Sequence, residues 1–107
     1  MKSSESTIRV IKAVPYGKVC SYSGIAALAG IPNGARLVAR ILHSCSEKCD
    51  LPWWRIVRSN GEIALRDKAS RKIQKDLLLK EGIHFRNVWA VERYKIMEYQ
   101  EIKGYKE

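Results

Sequence analysis

Pro52-Trp53-Trp54-Arg55, two adjacent tryptophans between a proline and a cation, are the residues here whose types and spacing point most directly to a chemistry. An indole offers a broad apolar face on which a nucleobase can stack. Beside a DNA-binding unit, such a pair is suited to holding a base removed from its duplex. Core packing is the plainer use of two tryptophans. The thiols Cys20, Cys45 and Cys49 raise two other possibilities. A nucleophilic cysteine needs a neighbouring base or cation to lower its pKa, and no histidine is placed in sequence to activate Cys45 or Cys49. His43, Cys45 and Cys49, with Cys20 elsewhere, supply four candidate zinc ligands but lack a paired Cys-x-x-Cys element. Their odd number and irregular spacing suit reduced thiols better than a disulfide framework. Neither a metal nor a cofactor is expected.

The charge balance names the partner class. Lys and Arg outnumber Asp and Glu to give a net charge of +9 over 107 residues. That predicts attraction to a polyanion, most often nucleic acid; a basic surface without a specific role is the bland alternative. With 46% hydrophobic and 29% charged residues, the composition is globular. The length suggests one domain, placed over residues 1–97, followed by a polar tail over 98–107. The absence of a secretory signal or a membrane-length apolar run predicts a cytoplasmic protein, or a nuclear one in a eukaryote, with no membrane partner.

A compact set of elements must position the tryptophans. Ser6 is placed to cap a first helix carrying Ile8, Val10 and Ile11, which should stop before Pro15-Tyr16-Gly17-Lys18. Val19 to Tyr22 reads as an extended bridge. Ser21 or Ser23 then caps a helix that buries Ile25, Ala26 and Leu28. Gly30-Ile31-Pro32-Asn33 breaks it tightly, and a third helix runs from about Gly34 to Ser44 with Leu37, Val38, Ile41 and Leu42 inward. Helix, short turn, helix is the core of a DNA-reading unit. Ser44 to Asp50 reads as a polar loop. Leu51 to Val57 and Glu62 to Leu65 read as a hairpin around Arg58-Ser59-Asn60-Gly61, a candidate wing. A last helix spans Ser70 to Lys80, with Ile73, Leu77 and Leu78 inward and Gly82 ending it. Phe85, Trp89 and Tyr94 should fold back on the core. The fold class expected is mainly α with a small β-hairpin, a winged helix-turn-helix.

Assembled in order, these residues resemble the DNA-binding domain of the O6-alkylguanine-DNA alkyltransferases. The match runs through Val14-Pro15-Tyr16-Gly17-Lys18-Val19, Ser21-Tyr22, Ile25-Ala26, Ala29-Gly30 and Ala35-Arg36, and ends near Tyr94. Active members carry a reactive cysteine and a histidine in a Pro-Cys-His-Arg-Val motif. Here the motif reads Pro52-Trp53-Trp54-Arg55-Ile56, so both groups are absent. Tryptophan at the cysteine position resembles the alkyltransferase-like proteins, which bind alkylated guanine without repairing it.

The resemblance implies a monomeric, non-enzymatic sensor that docks in the minor groove, flips O6-alkylguanine out of duplex DNA and marks it for nucleotide excision repair proteins. It implies that Tyr22 and Arg36 extrude the nucleotide. It places Trp53, Trp54 and Arg66 at the alkylguanine pocket, with Trp54 equally suited to the core and Arg66 to a solvated run with Asp67 and Lys68. Ser21, Gly34 and Ala35 fall at the DNA-binding surface, where small side chains allow close approach to the groove. Arg55 should anchor its loop through carbonyl or carboxylate contacts. Glu81 matches the family glutamate that orients the missing histidine and reads as a remnant. The family's hinge asparagine falls at Cys45, where a thiol cannot replace an amide. Two alternatives stand beside this reading: a winged-helix transcription regulator, and an active alkyltransferase with an atypical acceptor thiol.

Overall fold

Val19–Ser21 form a short strand, β1, around which the chain is organised in a computed structural model that describes residues 2–31, 33–92 and 96–97. Before it lies α1 (Lys2–Lys12); after it come α2 (Tyr22–Leu28), α3 (Ala35–Cys49), a 3-10 turn (Trp53–Arg55), β2 (Ile56–Val57), α4 (Lys68–Lys80), β3 (Phe85–Asn87), β4 (Ala90–Val91) and β5 (Ile96–Met97). Among the described residues, four helices and two small sheets make this a mostly helical fold, as the sequence predicts. No described helix is long and apolar enough to cross a membrane.

β1 is the middle strand of a parallel sheet, with β2 on one edge and β5 on the other. Successive strand residues face opposite ways, so this sheet divides the core. Cys20 and Ile56 join Val10, Ile11, Val14, Ile25, Val38 and Leu42 in a cluster between α1, α2 and α3. Val19 and Val57 point the other way and pack with Leu78, Ile83 and Val91.

The helix-turn-helix is α2 and α3. Ser21 caps α2, its Oγ accepting from the Gly24 N–H at 3.0 Å. α2 and α4 end alike: Gly30 and Gly82 take φ of 79° and 82°, and the following residues, Ile31 and Ile83, donate back to Ala26 and Leu78. That left-handed position favours glycine because it has no Cβ to clash.

Several boundaries differ from the sequence reading. α1 begins at Lys2, so Ser6 lies inside the helix and does not cap it; burial of Thr7, Val10 and Ile11 on one face supports the earlier start. The expected loop Ser44–Asp50 is helical through Cys49. Ser44 and Ser46 bond back to the carbonyls of Arg40 and Leu42, and Cys45 and Cys49 extend the apolar stripe of Val38 and Leu42 onto the core. Polar composition conceals that stripe.

The expected hairpin of 51–57 with 62–65 does not form. Ile56–Val57 pairs with β1 instead, and Glu62, though its carbonyl accepts from the Arg58 N–H across the turn, bridges to Ala90. Ile56 and Val57 are both fully buried, and a strand covered on both faces has no polar alternation to announce its partner. The antiparallel hairpin is β3–β4. α4 starts two residues early, capped by Asp67 through the Ser70 N–H at 2.9 Å. Its buried positions are Gln74 and Leu78, whereas Ile73 is 54% exposed. Phe85 packs on the second cluster. Pro32, Tyr94 and the tail over 98–107 lie outside the described residues.

Candidate nucleic-acid interface

The 3-10 turn decides where the two tryptophans go. Consecutive residues in such a turn diverge by about a third of a circle, and the indoles meet edge to face, 5.9 Å apart at 87°. Trp53 packs on the first core cluster and Trp54 on the second. Only Trp53 lines a cavity of about 770 Å³, which opens between α2, α3, the 58–65 segment and the start of α4.

Tyr22, at the first position of α2, and Arg36, in the first turn of α3, line the same cavity. Tyr22 is half-buried; burial raises its hydroxyl pKa, with Arg58 opposing, so the phenol stays protonated at neutral pH. Arg36 is exposed. Ala35 and Ala39 line the wall between them with small side chains. The arrangement joins an aromatic face, a phenol and an exposed cation around an apolar space, as holding a planar heterocycle requires.

Trp54 and Arg66 are set apart from that group. Trp54 is turned toward α4, its Nε1 donating to Glu81 Oε2 at 2.8 Å. Arg66 lines a second cavity, which Arg58, Ala64 and Leu65 share with the first. Ser21 is buried as the cap of α2. Gly34 is small for an internal reason as well: a Cβ there would lie 2.6 Å from the Ile31 carbonyl oxygen.

Glu81, read from sequence as a remnant, ties the site together. Its carboxylate accepts from the Gly17 N–H at 2.9 Å, from Trp54, and from Arg55 Nε and Nη2, the latter at 2.8 Å. Arg55 Nη1 donates to the Val14 carbonyl at 2.9 Å, and its guanidinium lies 5.5 Å from the Trp54 ring. The anchoring contacts expected for Arg55 are thus a carbonyl and a carboxylate. Burial opposes the charged form of Glu81, but hydrogen bonds from Arg55, Gly17 and Trp54 and the charge of Arg55 outweigh it, leaving its pKa below the ordinary carboxylate value. The donor that Trp54 presents to this carboxylate is an indole N–H, which carries no titratable proton.

Gln74 was not singled out by sequence. It is 2% exposed, and its Nε2 donates to the carbonyls of Trp54 and Ile56 at 3.0 and 3.1 Å. It fastens the 3-10 turn to α4 and borders the cavity. Its four-residue spacing from Leu78 was the available signal. Cys20, Cys45 and Cys49 are not joined by disulfides, and none lines either cavity. His43 lines the first cavity on α3. Among the described residues no group of three or more His, Cys, Asp or Glu is placed to hold a metal.

Known proteins resemble this chain in sequence and in fold. A family model described as the 6-O-methylguanine DNA methyltransferase DNA binding domain matches residues 2–83. The chain is 39% identical over 88 residues to the DNA base-flipping protein of Vibrio parahaemolyticus, covering 80% of this chain and 87% of that one. It is 38% identical over 87 residues to alkyltransferase-like protein 1 of Schizosaccharomyces pombe, covering 78% and 81%. Its fold matches the crystal structure of S. pombe Atl1 in complex with damaged DNA containing O6-carboxymethylguanine, with a TM-score of 0.78 and 27% identity, over 90% of this chain and 94% of that one.

Proposed function

Since this chain belongs to the family of the 6-O-methylguanine DNA methyltransferase DNA-binding domain, we propose that it is a non-enzymatic sensor of O6-alkylguanine in duplex DNA. In this reading α3 enters the minor groove through Gly34 and Ala35. Tyr22 pushes the target nucleotide out, Arg36 fills the space it leaves, and the base lodges against Trp53. The lesion is thereby marked for nucleotide excision repair. The observation that carries the reading is Trp53 in the wall of the cavity that Tyr22 and Arg36 border. An indole there can stack on a base, yet it has no nucleophile to accept an alkyl group. The relatives' names and the DNA in the matched structure support the same partner.

The competing readings lose ground at specific residues. No cysteine lines the cavity, so an atypical acceptor thiol has no access to a base held there. A winged-helix regulator gives no role to Tyr22, Arg36 and Trp53 meeting at one cavity.

Titration of matched duplexes tests the proposal. An O6-methylguanine duplex should bind more tightly than the unmodified one, and mass spectrometry after incubation should show unaltered protein. A stoichiometric gain of one alkyl group on any cysteine would overturn it. Arg36→Ala and Tyr22→Ala should each weaken lesion binding by ~10- to 100-fold, the scale of a lost stacking or charged contact of ~1–3 kcal/mol. Tyr22 also packs on the first core cluster, so its variant is to be read alongside a thermal melt. Wild-type affinity in both folded variants would remove them from the extrusion step.

A further inference from the structure

The second cavity, of about 420 Å³, is lined by Arg58, Arg66 and Arg71 against one carboxylate, Glu62. Arg71 is the unusual member. Its Nε is buried and has no hydrogen-bond acceptor among the described residues. Its guanidinium lies 4.9 Å from the ring centre of Trp89, which also borders the cavity. Arg55 makes the contrast, with its nitrogens engaged by Glu81 and the Val14 carbonyl. Lys75, over the same Trp89 ring, donates to the Val88 carbonyl at 2.6 Å. A guanidinium stacked on an indole keeps its edge free for a planar, two-oxygen acceptor.

The position of this cavity suggests where such an acceptor comes from. Arg58, Ala64 and Leu65 line both cavities, so one stretch of chain forms a wall of each. We infer that the second cavity is an oxyanion subsite for bound nucleic acid, in which Arg71, held against Trp89, takes a negatively charged oxygen. Two sources carry that chemistry: the anionic end of a substituent on the extruded base, and a phosphate of the backbone. The first source rests on the function proposed above; the second does not.

The test is a set of titrations with an unmodified duplex, an O6-methylguanine duplex and an O6-carboxymethylguanine duplex, using wild type, Arg71→Gln and Arg71→Lys. Arg71→Lys keeps the charge and loses the fork; circular dichroism confirms that both variants are folded. Arg71→Gln should weaken binding roughly tenfold, as expected for one charged hydrogen bond. A loss confined to the carboxymethyl duplex identifies the substituent as the source. An equal loss on all three, with the slope of log affinity against log salt shallower by about one, identifies a phosphate. Unchanged affinity for all three duplexes in folded Arg71→Gln overturns the subsite. Failure of wild type to prefer O6-methylguanine over the unmodified duplex would instead strike the function proposed for the first cavity, while the unmodified duplex would still report on Arg71 as a phosphate ligand.

Discussion

Glu81→Ala is expected to cost about 3 kcal/mol of folding stability, the low end for breaking a buried ion pair because this one is partly exposed and Arg55 keeps the Val14 carbonyl. Arg55 and Glu81 are 14% and 6% exposed at their side chains, so water relieves the orphaned guanidinium only in part. The same carboxylate also takes the Trp54 indole and the Gly17 amide. In a domain of this size each kcal/mol is worth ~4–8 °C, so the melting temperature should fall by more than roughly 10 °C. A fall of only two or three degrees would show that Glu81 is the remnant its motif suggests. Acid titration gives an independent check. The folded pKa of Glu81 is depressed, so its contribution is complete above the unfolded carboxylate pKa and is lost as pH falls through the folded value. The stability gap between wild type and Glu81→Gln should therefore narrow as the solution is acidified through that window.

Trp53→Ala should reduce the ratio of lesion to unmodified-DNA affinity by ~10- to 100-fold, the range measured for one base-stacking aromatic. The ratio is the quantity to follow. Contacts to phosphates release counterions and weaken with salt on any duplex, and exposed cations such as Lys18, Arg40, Arg58, Lys68 and Lys72 are available for them. Contacts inside the cavity are screened less. The ratio should thus vary less with salt than either affinity does. Trp53 also packs on the first core cluster, so binding to the unmodified duplex serves as the control for folding. A ratio unaffected in a folded variant would assign Trp53 to the core alone.

The parts of this protein legible in its sequence are those governed by local rules. Ser21 capping α2 and Gly82 ending α4 follow from hydrogen bonds within a few residues. Tyr22, Arg36 and Trp53 were named from a motif, and the fold gathers them at one cavity. Long-range pairing hid the rest. Nothing near Ile56 reveals that its partner is Cys20 and not a residue across the next turn. The helical faces were ambiguous where Ile73 and Gln74 compete: hydropathy chooses Ile73, but two carbonyls, of Trp54 and Ile56, require the glutamine inside. Glu81 reads from sequence as a remnant because its three donors, Gly17, Trp54 and Arg55, lie 26 or more residues away in the chain. Arg66 and Trp54 were grouped with Trp53 by sequence register, whereas the 3-10 turn and the 58–65 segment send them to other surroundings.

The central position of β1 bears on how the chain reaches this fold. Cys20 and Ser21 pair on one side with Ile56 and Val57, and Val19 and Cys20 on the other with Ile96 and Met97, so neither edge of the strand is satisfied by a sequence neighbour. Closing those loops costs entropy before any pairing repays it. On a ribosome, α1, α2 and α3 can pack as soon as they emerge, but β1 keeps an open edge until Met97 has left the tunnel. Folding should accordingly finish only when β5 docks, and until then the open β1 edge is the place most vulnerable to mispairing.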